Sequence, residues 1–336
     1  MRIQRIGLAV LAAIWLSAAG SGYHVIRKIP VGGEGSWDYI TFDPAASRLF
    51  VAHANRVDVL DPESGKVIGE IPDTPGVHGI ALVPEAGKGF VSNGKTDNVA
   101  VFDLKTLATL GHVATGKKPD AIVYDGAARL VLVSDGDSDD LTVIDPFQTR
   151  QLGKIALGGA PEFIAGDGKG TVWVNLEDKN ETLMIDPARL AVRKRFPLTG
   201  CDGPSSLAMD AATRRLFIGC GNKVLTVLDA DAGKVVAQLP IGEHVDATVF
   251  DPERRLVFSS NGDGTITVVH EEAAGKFRVV ETIATARGAK TMAIDLKSKR
   301  IYLPTAEGLP PSATGPPHPN GPQFAIGQFV VLVVGF

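Results

Sequence analysis

The sequence predicts an all-β, seven-bladed β-propeller of four-stranded blades, with the ring closed by an N-terminal strand pairing with C-terminal ones. A unit of 41 to 44 residues recurs, entered successively at Ile29, Ile71, Val113, Ile155, Phe196, Leu239 and Ile283. Each unit divides into four short apolar runs separated by turn residues. Each terminus carries part of a unit that the other completes. A period of this length marks a repeat architecture and overrides the two-domain expectation that 336 residues would otherwise raise. At 44% hydrophobic and 21% charged, the chain has the composition of an ordinary globular protein with a large core.

The first strand of each unit is Tyr39 to Phe42, Ile80 to Val83, Ala121 to Tyr124, Phe163 to Ala165, Leu207 to Met209, Ala247 to Phe250 and Thr291 to Ile294. In six units an Asp follows: Asp43, Asp125, Asp167, Asp210, Asp251 and Asp295. The second strand recurs as Arg48-Leu49-Phe50-Val51, Arg129 to Leu132, Arg215 to Ile218, Arg255 to Phe258 and Arg300 to Leu303. Those runs are apolar without alternation, as strands packed on both faces are. The third strand ends in Asp61, Asp103, Asp145, Asp186 and Asp229, whose side chains suit the start of a tight turn. Short, evenly spaced strands of this kind fit a radial array with short, protected sheet edges. His24 to Ile29 reads as a fourth strand with no partners before it, and Phe329 to Val334 as a third strand with none after it. Joined, they complete blade seven.

The expected organisation is a signal peptide over residues 1 to 22 and one propeller domain over 23 to 336. Arg2 and Arg5 precede the apolar run Ile6 to Leu16, which ends in small residues. That run falls short of the roughly 20 residues a membrane span needs, and no later stretch supplies one. The mature chain is therefore expected in the periplasm or outside the cell, without a membrane span. The formal charge of −4 gives no general attraction to nucleic acid or anionic membrane. An oxidising compartment would let the two cysteines, Cys201 and Cys220, form a disulfide at one end of blade five.

Several motifs resemble the YVTN-repeat propellers, and specifically the YncE-like periplasmic family. They are Gly-x-x-Pro-x-x-Ile at Gly116 to Ile122 and Gly158 to Ile164, Phe-Val-Ser-Asn at Phe90 to Asn93, and Val-Ile-Asp followed by a Gly-Lys-Val turn. The resemblance spans roughly residues 23 to 336 and implies the fold more than an activity.

Propeller geometry brings the connections into strand 1 and out of strand 2 to one face, and two rings of side chains are expected there. The first is Asp38, His78, Asp120, Glu162, Ser205, Asp246 and Lys290, polar at all seven positions. The second is His53, Asn93, Ser134, Asn175, Cys220, Ser260 and Thr305, with Asp135, Asp137, Glu177, Asp263 and Glu307 just beyond. Their oxygens suit a divalent cation or a hydroxyl-rich ligand, and Glu162, Asp120 and His78 are the metal candidates. Trp37 stands beside this mouth, and the Pro- and Gly-rich stretch Gly308 to Pro322 is the longest insertion on its face. No nucleophile elbow, phosphate loop, nucleotide fingerprint or haem-attachment motif occurs. The expected function is binding or scaffolding, through a small ligand or a protein partner at the channel mouth. The alternatives are a lactonase-like metal-assisted hydrolase using Glu162 and Asn175, and a propeller partner of a redox enzyme.

Overall fold

A computed structural model describes residues 21–306 and 328–336. Of residues 1 to 22, the expected signal peptide, only Ser21 and Gly22 are among them; Glu307 and the stretch from Gly308 to Pro322 lie outside. The chain forms seven four-stranded antiparallel sheets arranged as a ring. Blade 1 is typical: strand 1 is Trp37–Asp43, strand 2 Arg48–His53, strand 3 Arg56–Asp61 and strand 4 Lys66–Ile71. The first strands of successive blades neighbour one another around the axis. The fourth strands form the outer wall, with mostly exposed residues.

Burial on both faces explains the second strands. Leu49 and Val51 pack into the seam with blade 7, while Phe50 and Ala52 pack into the seam with blade 2. Every adjacent pair of blades shares such a seam, so the core is seven wedges of apolar side chains around the axis. Polar alternation within strand 2 would leave one face of a wedge unfilled. The residues that open each repeat, from Ile29 to Ile283, are buried residues near the ends of outer strands. The sequence period therefore starts at the end of the last strand of the preceding blade.

The turn aspartates act as their position suggests. Asp43, Asp103, Asp145, Asp229 and Asp251 each accept backbone N–H bonds from the residues two and three further on. This fixes the hairpin geometry locally, before any tertiary contact is made.

Blade 7 is built from both ends of the chain, in the sheet order Ala293–Asp295, Arg300–Ala306, Phe329–Gly335 and His24–Pro30. His24–Pro30 runs antiparallel to Phe329–Gly335, with Ile29 opposite Val331. Tyr23 packs edge-on to Phe258 and against Phe336, so the clasp also has an apolar seal. Cys201 and Cys220 are disulfide-bonded, their Cα atoms 5.4 Å apart. The bond ties the loop entering blade 5 to the end of its second strand.

Candidate functional site

Each first-ring residue sits at, or just before, the start of its blade's innermost strand. Asp38, His78, Asp120, Glu162, Ser205 and Asp246 are each the second residue of strand 1, and Lys290 precedes strand 1 of blade 7. All seven are partly open to solvent, unlike the buried residues that flank most of them. One register position repeated around a closed ring converges on one axis, which is how residues 252 positions apart in sequence come to share a site.

The ring divides into two halves. In blades 1 to 3, His78 Nδ1 lies 2.5 Å from Asp38 Oδ2 and 3.9 Å from Asp120 Oδ1. Burial works against a charged imidazole, but the Asp120 charge and the Asp38 hydrogen bond outweigh it and hold the His78 pKa at about 9. In blades 6 and 7, Lys290 Nζ lies 2.6 Å from Asp246 Oδ2. Burial opposes the Lys290 charge too, yet Asp246 and Asp38 raise its pKa above the usual lysine range. Glu162 stands between the halves. Burial, then Asp120 and Glu177, push its carboxyl well above the usual range. Asp120 and Asp246 are also raised, chiefly by burial. Ser205 turns its hydroxyl to the Val245 carbonyl, 2.7 Å away, and so joins blade 5 to blade 6.

Beneath the charges the channel has an aromatic floor. Tyr39, next to Asp38, crosses the axis from blade 1 and stacks on Phe163 of blade 4, their ring centroids 5.6 Å apart. Burial raises the Tyr39 phenol well above its ordinary pKa, and Asp120, Asp38, Glu162 and Asp246 add to the effect. One side chain thus feels all four acids. The floor can be found in the sequence once the register is known. The same position in the other blades holds Gly79, Ala121, Ser206, Ala247 and Thr291, so two large rings stand among small residues. At Gly79 the smallness is required, since a Cβ would lie 2.7 Å from Ile122 and 3.0 Å from the Asp120 carbonyl.

The second ring is placed differently from the sequence expectation. His53, Asn93, Ser134, Asn175, Cys220, Ser260 and Thr305 are all fully buried. They do not form one register. His53, Asn93 and Cys220 are last in their strands, whereas Ser134, Asn175, Ser260 and Thr305 are second from last, and neighbouring strand residues face opposite sides. Two of the latter group stitch the ring together, and a third ties its blade to its own entry loop. Asn175 donates to the Ser206 carbonyl at 3.1 Å and Ser260 to the Lys290 carbonyl, each in the next blade, and Thr305 donates to the Arg287 carbonyl at 3.0 Å. Asn175 also accepts from Thr182 at 2.8 Å, so both ends of its amide make hydrogen bonds inside the ring. His53 has both ring nitrogens engaged, Nδ1 with Asp58 Oδ2 at 2.6 Å and Nε2 with the Glu34 carbonyl at 3.0 Å. Asn93 donates to Asn98 Oδ1 at 2.9 Å.

The residues beyond the second ring also have structural partners. Asp135 is buried and accepts from Thr142 at 2.6 Å, Asp263 accepts from Thr265 at 2.7 Å, and Asp137 lies 3.9 Å from Lys118 Nζ. Glu177 is raised by burial and by Asp246, which sets it close to the first ring. Trp37 is buried, and its indole N–H donates to the Gly288 carbonyl at 3.1 Å, bridging blade 1 to the loop entering blade 7. Of the expected metal candidates, the structure gathers Asp120 and His78 with Asp38 and leaves Glu162 outside that group.

No family model and no curated protein sequence matches this chain. Solved structures do. A chain of the Kuenenia stuttgartiensis hydrazine synthase is 18% identical and superposes with a TM-score of 0.72, over 84% of this chain and 95% of that one. A chain of the mitotic checkpoint complex is 15% identical, with a TM-score of 0.73 over 90% and 95%. At such identities the likeness shows a shared propeller fold.

Proposed function

We propose that this chain is an exported binding propeller of the YncE-like type, and that its ligand seats in the charged cup at the channel mouth. The observation that carries this reading is the convergence of Asp38, Asp120, Glu162 and Asp246 above the Tyr39–Phe163 floor, with only His78 and Lys290 opposing them in the ring. Four carboxyl groups so placed repel one another, and a positively charged or hydroxyl-rich ligand relieves the repulsion. Export is supported by the signal-like residues 1 to 22 and by the Cys201–Cys220 disulfide, a bond characteristic of oxidising compartments. Among the described residues no helix is long and apolar enough to cross a membrane.

The test is a melting screen of the mature protein against metals, amines and sugars, in parallel with a Glu162→Gln, Asp120→Asn double variant. A ligand at about 100 times its dissociation constant adds about 2.7 kcal/mol to the parent's stability. The double variant is expected to lose that shift while its own melting temperature stays level or rises, because two mutually repelling charges are gone. A parent protein that no compound stabilises, with a double variant that melts identically, leaves the mouth without a role.

A further inference from the structure

We propose that Asp38, His78 and Asp120 form a site for one divalent transition-metal ion, held at the rim by three consecutive blades. The proposal rests on reading the mouth as the binding face and names the chemistry of one half of it. His78 Nδ1 and one carboxylate oxygen from each aspartate lie within 4.8 Å of one another. Modest rotamer adjustment lets all three reach an ion placed between them. Each residue is second in an innermost strand and lies in the short irregularity between two paired positions, Trp37 and Ile40, Val77 and Ile80, or Pro119 and Ile122, so strand pairing pins its backbone from both sides. Metal sites on such elements are better positioned than sites on loops. The three side chains are 20 to 26% exposed, which leaves a route for the ion and room for water ligands.

The charges favour this half of the ring over the other. Asp246 already has the Lys290 ammonium at 2.6 Å as its counter-ion. In blades 1 to 3, two carboxylates share one imidazole, and among the described residues the Asp120 carboxylate accepts no hydrogen bond. Lys118, acting on His78 and Asp120, and Lys290, acting on Asp38, are the other cations near this group. An ion that displaces the imidazole proton meets two carboxylates and a neutral nitrogen donor, whose charge a divalent ion cancels. The nitrogen donor separates the candidates, because Ca²⁺ and Mg²⁺ prefer all-oxygen shells whereas Zn²⁺ and its transition-metal neighbours accept imidazole. In the absence of an ion, the His78–Asp38 hydrogen bond holds the same atoms together.

Calorimetric titration of chelator-treated full-length mature protein with ZnCl₂ and MnCl₂, and with CaCl₂ and MgCl₂ as controls, tests the assignment. One equivalent of Zn²⁺ or Mn²⁺ is expected to bind, with His78→Gln and Asp38→Asn each weakening it at least tenfold. Asp246→Asn is expected to change the affinity less than threefold. Cooperative melting of each variant establishes that it is folded, and Asp38→Asn serves if His78→Gln is not. Binding that survives both His78→Gln and Asp38→Asn, or that Asp246→Asn weakens equally, overturns the assignment. If the parent binds neither metal yet an amine or sugar still stabilises it through Asp120 and Glu162, the metal site falls and the mouth reading stands. If nothing binds, both fall.

Discussion

His78 is the residue whose protonation the fold controls most visibly. Its pKa rises from an ordinary 6.5 to about 9, against the effect of burial, because Asp120 and Asp38 favour the imidazolium. A pKa raised on folding adds stability that is fully present below the unfolded value and is lost as pH rises through the folded one. The metal-free parent is therefore expected to lose thermal stability between about pH 6.5 and pH 9, and His78→Gln to flatten that part of the profile. Parallel melting curves for the two proteins across this range would show that the ion pair is unimportant. Glu162, Asp120 and Asp246 are also raised, so their contributions decline in the same direction, from more acidic pH upward. The turn aspartates show the opposite balance. Backbone N–H bonds hold Asp61 and Asp103 below the usual carboxylate range, which favours the charged form that the hairpins use.

Among the elements, blade 5 has a constraint that the other blades lack. Its entry loop follows Phe196 and Leu198 into the core and is tied at Cys201 to Cys220, closing a loop with a sequence separation of 19. A loop of this size is worth about 3 kcal/mol by the chain-entropy account. A Cys201→Ala, Cys220→Ala protein is accordingly expected to unfold at lower urea concentration with little change in the slope of the transition. An unaltered midpoint, or two free thiols in the unreduced denatured parent, would refute the stabilising role. Strand 2 holds a further lesson at this scale. Its last two residues face opposite sides, so a polar column read along the chain without the exact strand end mixed two sets. Asn175 and Ser260 bond across to the next blade, Ser134 bonds to the Ala121 carbonyl within its own blade, and His53 and Asn93 are strand ends.

At the scale of the whole molecule, the ring holds only if its last blade is complete. His24–Pro30 supplies the outer strand of blade 7 and covers the edge of Phe329–Gly335, a run of buried apolar residues. Removing His24–Pro30 exposes that edge as a template for pairing with another chain. The truncated protein is expected to aggregate or to lose cooperative unfolding, as followed by light scattering during a melt. A deletion protein that melts at the parent's temperature, without scattering, would show that the clasp is dispensable. The disulfide constrains blade 5 and not this closure, so the two perturbations are expected to add.

The sequence by itself determined the architecture, because every blade depends on short-range order and the closure follows from the part-blades left at the two termini. The repeat period, the doubly apolar second strands and the aspartates that cap their own turns all operate within about 40 residues. The polar first ring was equally legible, being one register position read seven times. Tertiary structure alone decided what that ring is. Whether His78 meets Asp38 or Lys290 meets Asp246 depends on the angle between blades and on rotamers. That Tyr39 reaches Phe163 depends on the distance across the channel. The burial of the second ring depends on which side of a strand faces the next blade. None of these quantities is carried by a pattern along the chain, because each is set by packing between segments that the period treats as equivalent.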